Sequence, residues 1–105
     1  MMYQSVLQEI TDLIVRIANP EKVFLFGSRA DGTATSDSDF DFMIVVRDDV
    51  QNLRALRQLL HLEISALIAT PCDVLVEHES AFIQRSALPT LERTILATGQ
   101  RLYAA

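Results

Sequence analysis

The sequence predicts a fold of the α/β (α+β) class, in which helices cover a small β-sheet. Short, mainly apolar runs bounded by turn residues occur at residues 23–26, 42–46 and 72–76, and each has the length of a buried strand. Longer segments with apolar residues at helical spacing lie around these runs. The resulting order of helix, strand, strand, helix, strand and helix is typical of one small sheet packed against helices.

The first predicted element is an amphipathic helix. Asn19-Pro20 ends it, because a proline disfavours helical backbone in the residue before it. Lys22–Phe26 follows as a short, continuously apolar strand, the pattern of an interior strand. The apolar residues of the helix recur every three or four positions, at Tyr3, Val6, Leu7, Ile10, Leu13, Ile14 and Ile17.

A longer helix is predicted between the second and third strands. Residues 47–49 form a polar break and offer N-caps for this helix, which spans about five turns. Thr70-Pro71 stops it, and Cys72–Val76 is the third predicted strand. The helix presents apolar residues at Val50, Leu53, Leu56, Leu60, Ile64, Leu67 and Ile68.

The C-terminal part is predicted to form two short helices and a brief strand. Ser80 is placed to cap a helix over residues 81–85. Pro89 fits the first turn of a last helix, and Gly99 fits the position after its last residue. Residues 101–103 are predicted to form the terminal strand.

The composition indicates one folded domain over residues 1–105. Half of the residues are apolar and 22% are charged, which allows a buried core and is unlike a disordered chain. The net charge of −5 argues against broad nucleic-acid binding, because such binding needs a basic surface. A small basic pocket for one nucleotide remains compatible with this charge.

A cytoplasmic location is expected. Cys72 is the single cysteine, so an internal disulfide is excluded, and this fits a reducing compartment. No apolar run approaches the roughly 20 residues of a membrane span, and the N-terminus shows no signal-peptide pattern.

The segment Gly27–Val46, GSRADGTATSDSDFDFMIVV, is the part of the chain in which we expect a functional site. Asp39 and Asp41 lie two residues apart at the start of the second strand, so both side chains point to one face and Phe40 to the other. Neighbouring carboxylates repel each other unless a cation lies between them or a pKa rises. Mg²⁺ prefers such oxygen ligands and usually also binds substrate phosphates.

Gly27-Ser28, at the other end of the same loop, predicts a phosphate site. Glycine lets a phosphate approach the backbone, and serine adds a hydroxyl group and an N–H. The pair is also placed to begin a short helix. The loop after it exceeds the usual length of about 4–6 residues, which is typical of functional loops. Hydroxyl groups that are able to bond phosphates come from Thr33, Thr35, Ser36 and Ser38.

These residues match a family signature. Gly27-Ser28, ten intervening residues and Asp39-Phe40-Asp41 resemble the GS-x10-DxD signature of the minimal nucleotidyltransferases (MNT), a small branch of the DNA polymerase β-like superfamily. Family members place a third carboxylate on a later apolar strand, and Asp73 lies in such a strand. The resemblance implies a palm-like core with a mixed sheet.

The resemblance also implies a reaction: transfer of AMP from ATP to an acceptor hydroxyl group, with two Mg²⁺ ions, or Mn²⁺ in their place. The catalytic and metal-binding residues would be Asp39, Asp41 and Asp73. The nucleotide would be bound by Gly27, Ser28, Arg29 and Ser38. Many relatives carry a basic residue where this chain has Asp31, and this difference is expected to weaken triphosphate binding.

MNT proteins often pair with HEPN proteins in toxin–antitoxin systems. The resemblance therefore implies an antitoxin that adds AMP to a tyrosine of a cognate HEPN-type ribonuclease toxin. Larger family members carry a substrate-binding domain that this sequence does not contain, so a partner protein or a second copy is expected to hold the acceptor.

Two other functions are compatible with the sequence. The chain would be either an antitoxin that neutralises its toxin by binding alone, or a nucleotidyltransferase that modifies a small molecule of the aminoglycoside type. His61 and His78 have no partners at metal-ligand spacing and are interpreted as packed or surface residues. Cys72 is interpreted as a small core residue.

Overall fold

The computed structural model describes residues 2–35 and 37–105, with side chains from residue 5 onward, so Ser36 and the side chain of Tyr3 lie outside the described residues. The elements in chain order are α1 (Met2–Ala18), β1 (Lys22–Phe26), α2 (Ser28–Asp31), β2 (Phe40–Val46), α3 (Leu53–Leu67), β3 (Cys72–His78), α4 (Glu79–Ser86), α5 (Leu91–Thr98) and β4 (Gln100–Ala104).

The four strands form one mixed sheet in the order β3-β2-β1-β4. The pairs β1–β2 and β1–β4 are antiparallel, whereas β2 and β3 are parallel. Parallel neighbours need a long crossover, and α3 supplies it. The predicted fold class is therefore confirmed, including the mixed sheet.

Each face of the sheet has its own apolar core. Alternate residues of β2, including Phe42 and Ile44, pack with α1 and α3 on one face. The residues between them, Met43 and Val45, pack on the other face against Phe82 of α4 and Ile95 of α5. Because side chains alternate along a strand, this second face also receives the residues two positions before Met43 and Leu75, which are Asp41 and Asp73.

Helix α3 begins later than predicted, at Leu53 instead of Val50. Asn52 is its N-cap: its backbone is left-handed (φ 55°) and its side-chain oxygen accepts a hydrogen bond from the Ala55 N–H at 3.2 Å. Asparagine tolerates a left-handed backbone, and its side chain accepts a hydrogen bond from the backbone three residues later. These two properties explain why the helix begins at Leu53. The polar break at residues 47–49 therefore does not cap α3.

Helix α4 is capped by a residue distant in sequence. Ser80 was expected to be its N-cap, but the helix already begins at Glu79, and Ser80 lies in the first turn. The Ser80 N–H donates to the Asp48 carboxylate at 3.0 Å, which also lowers the pKa of Asp48. The capping acid thus comes from the loop after β2.

Helix α5 and Gly99 also differ in detail from expectation. The N-cap is Thr90, whose hydroxyl accepts from the Arg93 N–H at 3.3 Å, so Pro89 precedes the helix instead of lying in its first turn. Gly99 follows the helix as predicted, but its backbone is extended (φ −74°, ψ 162°) instead of left-handed. A Cβ there would lie 2.5 Å from the Ile95 carbonyl oxygen and 3.2 Å from that of Leu25, so close packing against β1 requires glycine.

The predicted terminal strand is confirmed and is longer than expected. It pairs with β1 as the second edge of the sheet, with an irregularity in register between Val23 and Phe24. Within the described residues, no helix combines the length and apolar character needed to cross a membrane.

Candidate active site

Asp41 and Asp73 are paired across the two parallel strands. They are register partners in β2 and β3, and they lie on the face that α4 and α5 cover farther along the strands. Burial raises the pKa of Asp41, and the charges of Asp73 and Asp39 together with a hydrogen bond shared with Asp73 raise it further. The structure thus brings together the three aspartates that the sequence singled out, with Asp41 half-buried and the other two exposed.

Gly27 lies directly against this acidic group. Its backbone (φ 77°, ψ −156°) belongs to a region that is essentially restricted to glycine. A Cβ at this position would collide with the Asp41 carboxylate oxygen Oδ2. Gly27 therefore permits both the turn out of β1 and the close approach of the Asp41 side chain.

The predicted short helix after Gly27 is present as the single turn α2, which begins at Ser28. The Gly27 carbonyl oxygen accepts hydrogen bonds from the N–H groups of Ala30 and Asp31 at 3.0 and 3.1 Å. Ser28 is half-buried and follows directly the glycine that contacts Asp41. The two ends of the GS-x10-DxD signature are therefore adjacent in space.

Arg29 and Ser38 contact each other and fasten the loop. The Arg29 Nε and Nη2 atoms donate to the Ser38 carbonyl oxygen at 2.9 and 2.7 Å. The guanidinium group also stacks on the Phe40 ring, 4.1 Å from its centre. The Ser38 hydroxyl accepts from the Thr35 N–H at 2.9 Å. Both residues thus hold the loop in shape, a role that the signature did not indicate.

Asp31 is fully engaged within its own turn. Its Oδ1 atom accepts hydrogen bonds from the Thr33 N–H at 3.0 Å and from the Thr33 hydroxyl at 2.6 Å. These bonds lower the pKa of Asp31, so the residue stays negatively charged at neutral pH. The negative charge near the expected phosphate site is therefore a stable feature of the turn.

A cleft of about 720 Å³ opens on the other side of the acidic pair. Its walls include Asp41 and Asp73 together with residues that the sequence interpretation did not select. The sequence gives only a weak signal for Arg57 and His61: they lie four residues apart on a polar face of helix α3. His61 is exposed, one of the two alternatives that the sequence left open, and its position in this cleft was missed.

A sequence profile of the family described as "Polymerase beta, Nucleotidyltransferase" matches residues 8–105. The chain belongs to this nucleotidyltransferase family. The match includes the glycine–serine pair, the three aspartates and all four strands. No curated protein is significantly similar in sequence to the chain.

Solved nucleotidyltransferase structures are similar in fold. A toxin–antitoxin crystal structure with AMP-PNP has a TM-score of 0.66 and 22% identity, covering 93% of this chain and 73% of that one. A candidate nucleotidyltransferase from Sulfolobus solfataricus has a TM-score of 0.56 and 26% identity, with coverages of 76% and 70%. A tri-AMPylated HEPN toxin in complex with its MNT antitoxin, from Shewanella oneidensis, has a TM-score of 0.62 and 16% identity, with coverages of 97% and 72%.

The acidic group of this nucleotidyltransferase fits Mg²⁺ by its chemistry. It offers hard carboxylate oxygens, and burial together with the charges of Asp73 and Asp39 raises the pKa of Asp41. Among the described residues, no three acidic, histidine or cysteine side chains are placed to hold a metal ion together. Magnesium in nucleotide enzymes usually has one or two protein carboxylates, and substrate phosphates complete its shell. Asp41 and Asp73 with Asp39 suit this open type of site.

A second carboxylate pair, Glu77 with Glu92, lies farther along β3 and was not predicted. Glu92 is only 4% exposed, and its Oε2 atom accepts from Arg85 Nε at 2.6 Å. Burial, a hydrogen bond with Glu92 and the Glu92 charge raise the pKa of Glu77 to about 7. Burial alone would raise the pKa of Glu92, but the hydrogen bonds with Glu77 and Arg85 outweigh it and lower that pKa. Hydrophobic periodicity gives no signal for such a pair.

Proposed function

We propose that this nucleotidyltransferase transfers AMP from Mg²⁺-ATP to a hydroxyl group of a partner protein, a tyrosine of a HEPN-type ribonuclease toxin, and so acts as its antitoxin. The observation that carries the proposal is the Asp41–Asp73 pair, which interacts with Asp39 and lies against Gly27. This arrangement supplies metal ligands beside a backbone that a phosphate group is able to approach.

Each residue of the site has a role in this reaction. The acceptor oxygen attacks the α-phosphorus of ATP, the bond to the β-phosphate oxygen breaks, and pyrophosphate leaves. Bound Mg²⁺ would polarise the phosphate oxygens and offset the charge that develops on them. Asp39 and Asp41 would hold the metal, and Ser28 with its backbone N–H would bind the departing phosphates. Asp73 orients the acceptor hydroxyl and accepts its proton.

Two further residues shape the nucleotide site without touching the reacting atoms. Arg29 ties α2 to the Ser38 carbonyl, so residues near the two ends of the loop are held together. Loop ends that are already held together lose less conformational entropy when ATP binds. We assign Ser38 and Arg29 to nucleotide binding through this ordering.

The partner part of the proposal is supported by the surface and by the relatives. Large apolar side chains are exposed on α3 and on the α4–α5 side, including Leu62 at 65% and Leu88 at 58%. Apolar surface of this kind is common in protein interfaces. Solved relatives with the same fold are toxin–antitoxin complexes, one of them AMPylated. A cytoplasmic location belongs to the same proposal and agrees with the free Cys72 thiol.

Incubation of the purified chain and partner with radiolabelled ATP and Mg²⁺ tests the proposal. We expect AMP on a partner tyrosine, located by mass spectrometry. The Asp39→Asn, Asp41→Asn double variant should still bind the partner, yet leave it unmodified and toxic. If this variant neutralises the toxin as well as the parent does, contact alone is the mechanism and the enzymatic proposal is wrong.

Thermal unfolding tests nucleotide binding without the partner. A ligand at a hundred times its dissociation constant stabilises a protein by about 2.7 kcal/mol, which corresponds to several degrees for a domain of this size. We expect ATP to raise the Tm when Mg²⁺ or Mn²⁺ is present and to leave it unchanged without either metal. Ser28→Pro removes both the serine hydroxyl and its backbone N–H and should abolish the shift, whereas proline itself is tolerated at the first position of a helix.

A further inference from the structure

Helices α1 and α3 form the two walls of a groove that is separate from the cleft beside Asp73. The groove has a volume of about 460 Å³. Its α3 wall is made by Glu63, Ala66 and Leu67, near the end of the helix. The residues that line the groove and those that line the cleft beside Asp73 do not overlap. The groove is therefore not part of the candidate active site.

The floor of the α1–α3 groove is apolar and accessible. Helix α3 fully buries Leu60 and Ile64 in the core, but it carries further apolar side chains that the core does not cover. Leu67 is 42% exposed and lines the groove together with Ala66. Leu59 is 45% exposed and lies seven residues before Ala66, so it is on the same side of the helix. Exposed apolar surface of this kind is available for contact with another molecule.

The rim of the groove is mainly acidic. Glu9 and Asp12 of α1 and Glu63 of α3 are exposed there, and Arg16 is the basic residue among them. Within the described part of the chain, no basic side chain forms an ion pair with any of these three carboxylates. Asp12 accepts a hydrogen bond only from the uncharged Gln8 amide, at 2.8 Å. The rim therefore has a net negative charge that favours a cationic ligand.

An amphipathic helix with basic residues beside its apolar stripe matches both properties of the groove. Its apolar face fits the floor, and its lysine or arginine side chains fit the acidic rim. An added β-strand would need free backbone groups, but both walls are helices whose backbone groups bond internally. Nucleic acids and anionic membranes are repelled by the same acidic rim.

We infer that the α1–α3 groove docks an amphipathic helix of a partner protein, with basic side chains of that helix against Glu9, Asp12 and Glu63. The inference goes beyond the proposed function, because this contact lies outside the candidate active site and involves no acceptor hydroxyl group. It assigns the groove to recognition and leaves the transfer reaction to the aspartates on the sheet.

A synthetic peptide is the probe for this groove. It forms an amphipathic helix with leucines on one face and lysines on both sides of them, and it carries a fluorophore. Fluorescence anisotropy measures its binding to the intact chain. We expect binding that weakens as the salt concentration rises, because the attraction between exposed charges is screened. A peptide with glutamates in place of the lysines, and one of the same composition in scrambled order, should bind much more weakly.

A matched pair of charge reversals locates the binding site. Asp12→Lys should weaken binding of the lysine peptide about three- to ten-fold, because an attraction is replaced by a repulsion. Asp49→Lys is the same substitution on the loop before α3, outside the groove, where it disrupts only an exposed ion pair with Arg47. It should leave binding unchanged. Leu67→Gln, which removes apolar floor surface, should weaken binding by a similar factor to Asp12→Lys. The Tm of each variant without peptide checks its folding.

Three results would overturn the inference. The lysine peptide does not bind, the scrambled peptide binds equally well, or Asp12→Lys and Asp49→Lys weaken binding equally, which would indicate a general effect of the net charge of −5. Sedimentation tests the other occupant: a dimer of the parent that dissociates in Asp12→Lys would assign the groove to a second copy of the chain instead of a partner.

The Asp39→Asn, Asp41→Asn double variant separates the groove from the proposed function. Because both substitutions lie outside the groove, this variant should bind the lysine peptide as the parent does. Loss of peptide binding in the double variant would contradict a separate docking site. AMP transfer by a parent chain that does not bind the peptide would overturn the groove and leave the proposed function standing.

Discussion

Two carboxylate pairs, each with one member on β3, differ in how far the protein compensates their charge. Asp73 pairs with Asp41 at the open end of the sheet face, and Glu77 pairs with Glu92 under α4 and α5. Asp73 and Glu77 are four residues apart on one strand and so point to the same face. The difference between the pairs lies in what covers them.

The enclosed pair is neutralised by the protein itself. Arg85 donates to Glu92, and the raised pKa of Glu77 means that Glu77 retains a proton near neutral pH. One oxygen of each glutamate, Oε1, is buried without a hydrogen-bond partner among the described atoms. Glu92 is buried and Glu77 half-buried, and the charge of the pair is compensated by Arg85.

The open pair lacks this internal compensation. Within residues 2–35 and 37–105, no basic side chain forms an ion pair with Asp41 or Asp73. In the protein without a bound cation, the two carboxyl groups are accommodated by the raised pKa of Asp41. A cation bound from solution would compensate their charge instead. The comparison indicates that a carboxylate pair is a candidate active site when the fold leaves it open and without a protein cation.

The largest expected effect is on transfer activity in Asp41→Asn. Loss of a metal-binding carboxylate should lower AMP transfer by at least about a hundred-fold. The free energy of unfolding without metal should stay the same or rise slightly, because a like-charge contact is removed. Radiolabel transfer and urea unfolding measure the two quantities. A loss of several kcal/mol in the metal-free variant would show that the open pair is structural, like the enclosed one.

Gly27→Ala should destabilise the protein by about 1–3 kcal/mol, because its backbone region disfavours any Cβ and because the new Cβ collides with Asp41. Gly32→Ala is the comparison. Its backbone (φ 86°, ψ 6°) is left-handed, which other residues tolerate better than the region of Gly27, and nothing lies within 4 Å of its Cβ position. Urea unfolding should therefore show the larger loss at Gly27. Equal losses would contradict both the backbone restriction at Gly27 and an energetic effect of its contact with the Asp41 carboxylate.

Glu77→Gln should change the pH dependence of stability. The pKa of Glu77 rises from 4.5 to about 7 on folding, so the folded state binds the proton more tightly and the stability from this group falls as the pH rises between these values. Glutamine removes this dependence. Between pH 4.5 and pH 7.5, the free energy of unfolding of the variant should rise by about 1–2 kcal/mol relative to that of the parent. This energy is reduced for solvent screening of the partly exposed Glu77 carboxyl group.

Unfolding in urea at several pH values measures this gain. A constant difference between variant and parent over the whole range would contradict proton retention by Glu77. Arg85→Gln is a useful comparison, because it removes the cation and leaves both glutamates in place. The pH dependence should then become steeper, since Glu92 also loses the partner that favours its charged form.

The smallest expected effect is on nucleotide affinity in Asp31→Asn. This change removes a negative charge near the phosphate site but keeps an oxygen that accepts hydrogen bonds from Thr33. The dissociation constant for Mg²⁺-ATP should fall about two- to three-fold at low ionic strength, and the gain should disappear in high salt. Isothermal titration calorimetry measures this dissociation constant at each salt concentration. An unchanged affinity at low salt would place the triphosphate away from α2.

The elements and the aspartates were predictable because they rest on local patterns. Short apolar runs bounded by turn residues, such as 42–46, indicate strands from local sequence, and the helical spacing of α1 and α3 is also a local pattern. The GS-x10-DxD spacing and the strand context of Asp73 were sufficient to name the candidate metal ligands. These signals are carried by residues close together in the chain.

Only the tertiary structure decided which distant groups meet. Asp48 capping α4, Gly27 in contact with the Asp41 carboxylate, and Arg57 and His61 lining the cleft all depend on strand order and helix placement. The Glu77–Glu92 pair has the same origin, since β3 and α5 are brought together by packing. Burial and charge coupling are properties of three-dimensional neighbours, and the order of residues along the chain does not specify those neighbours.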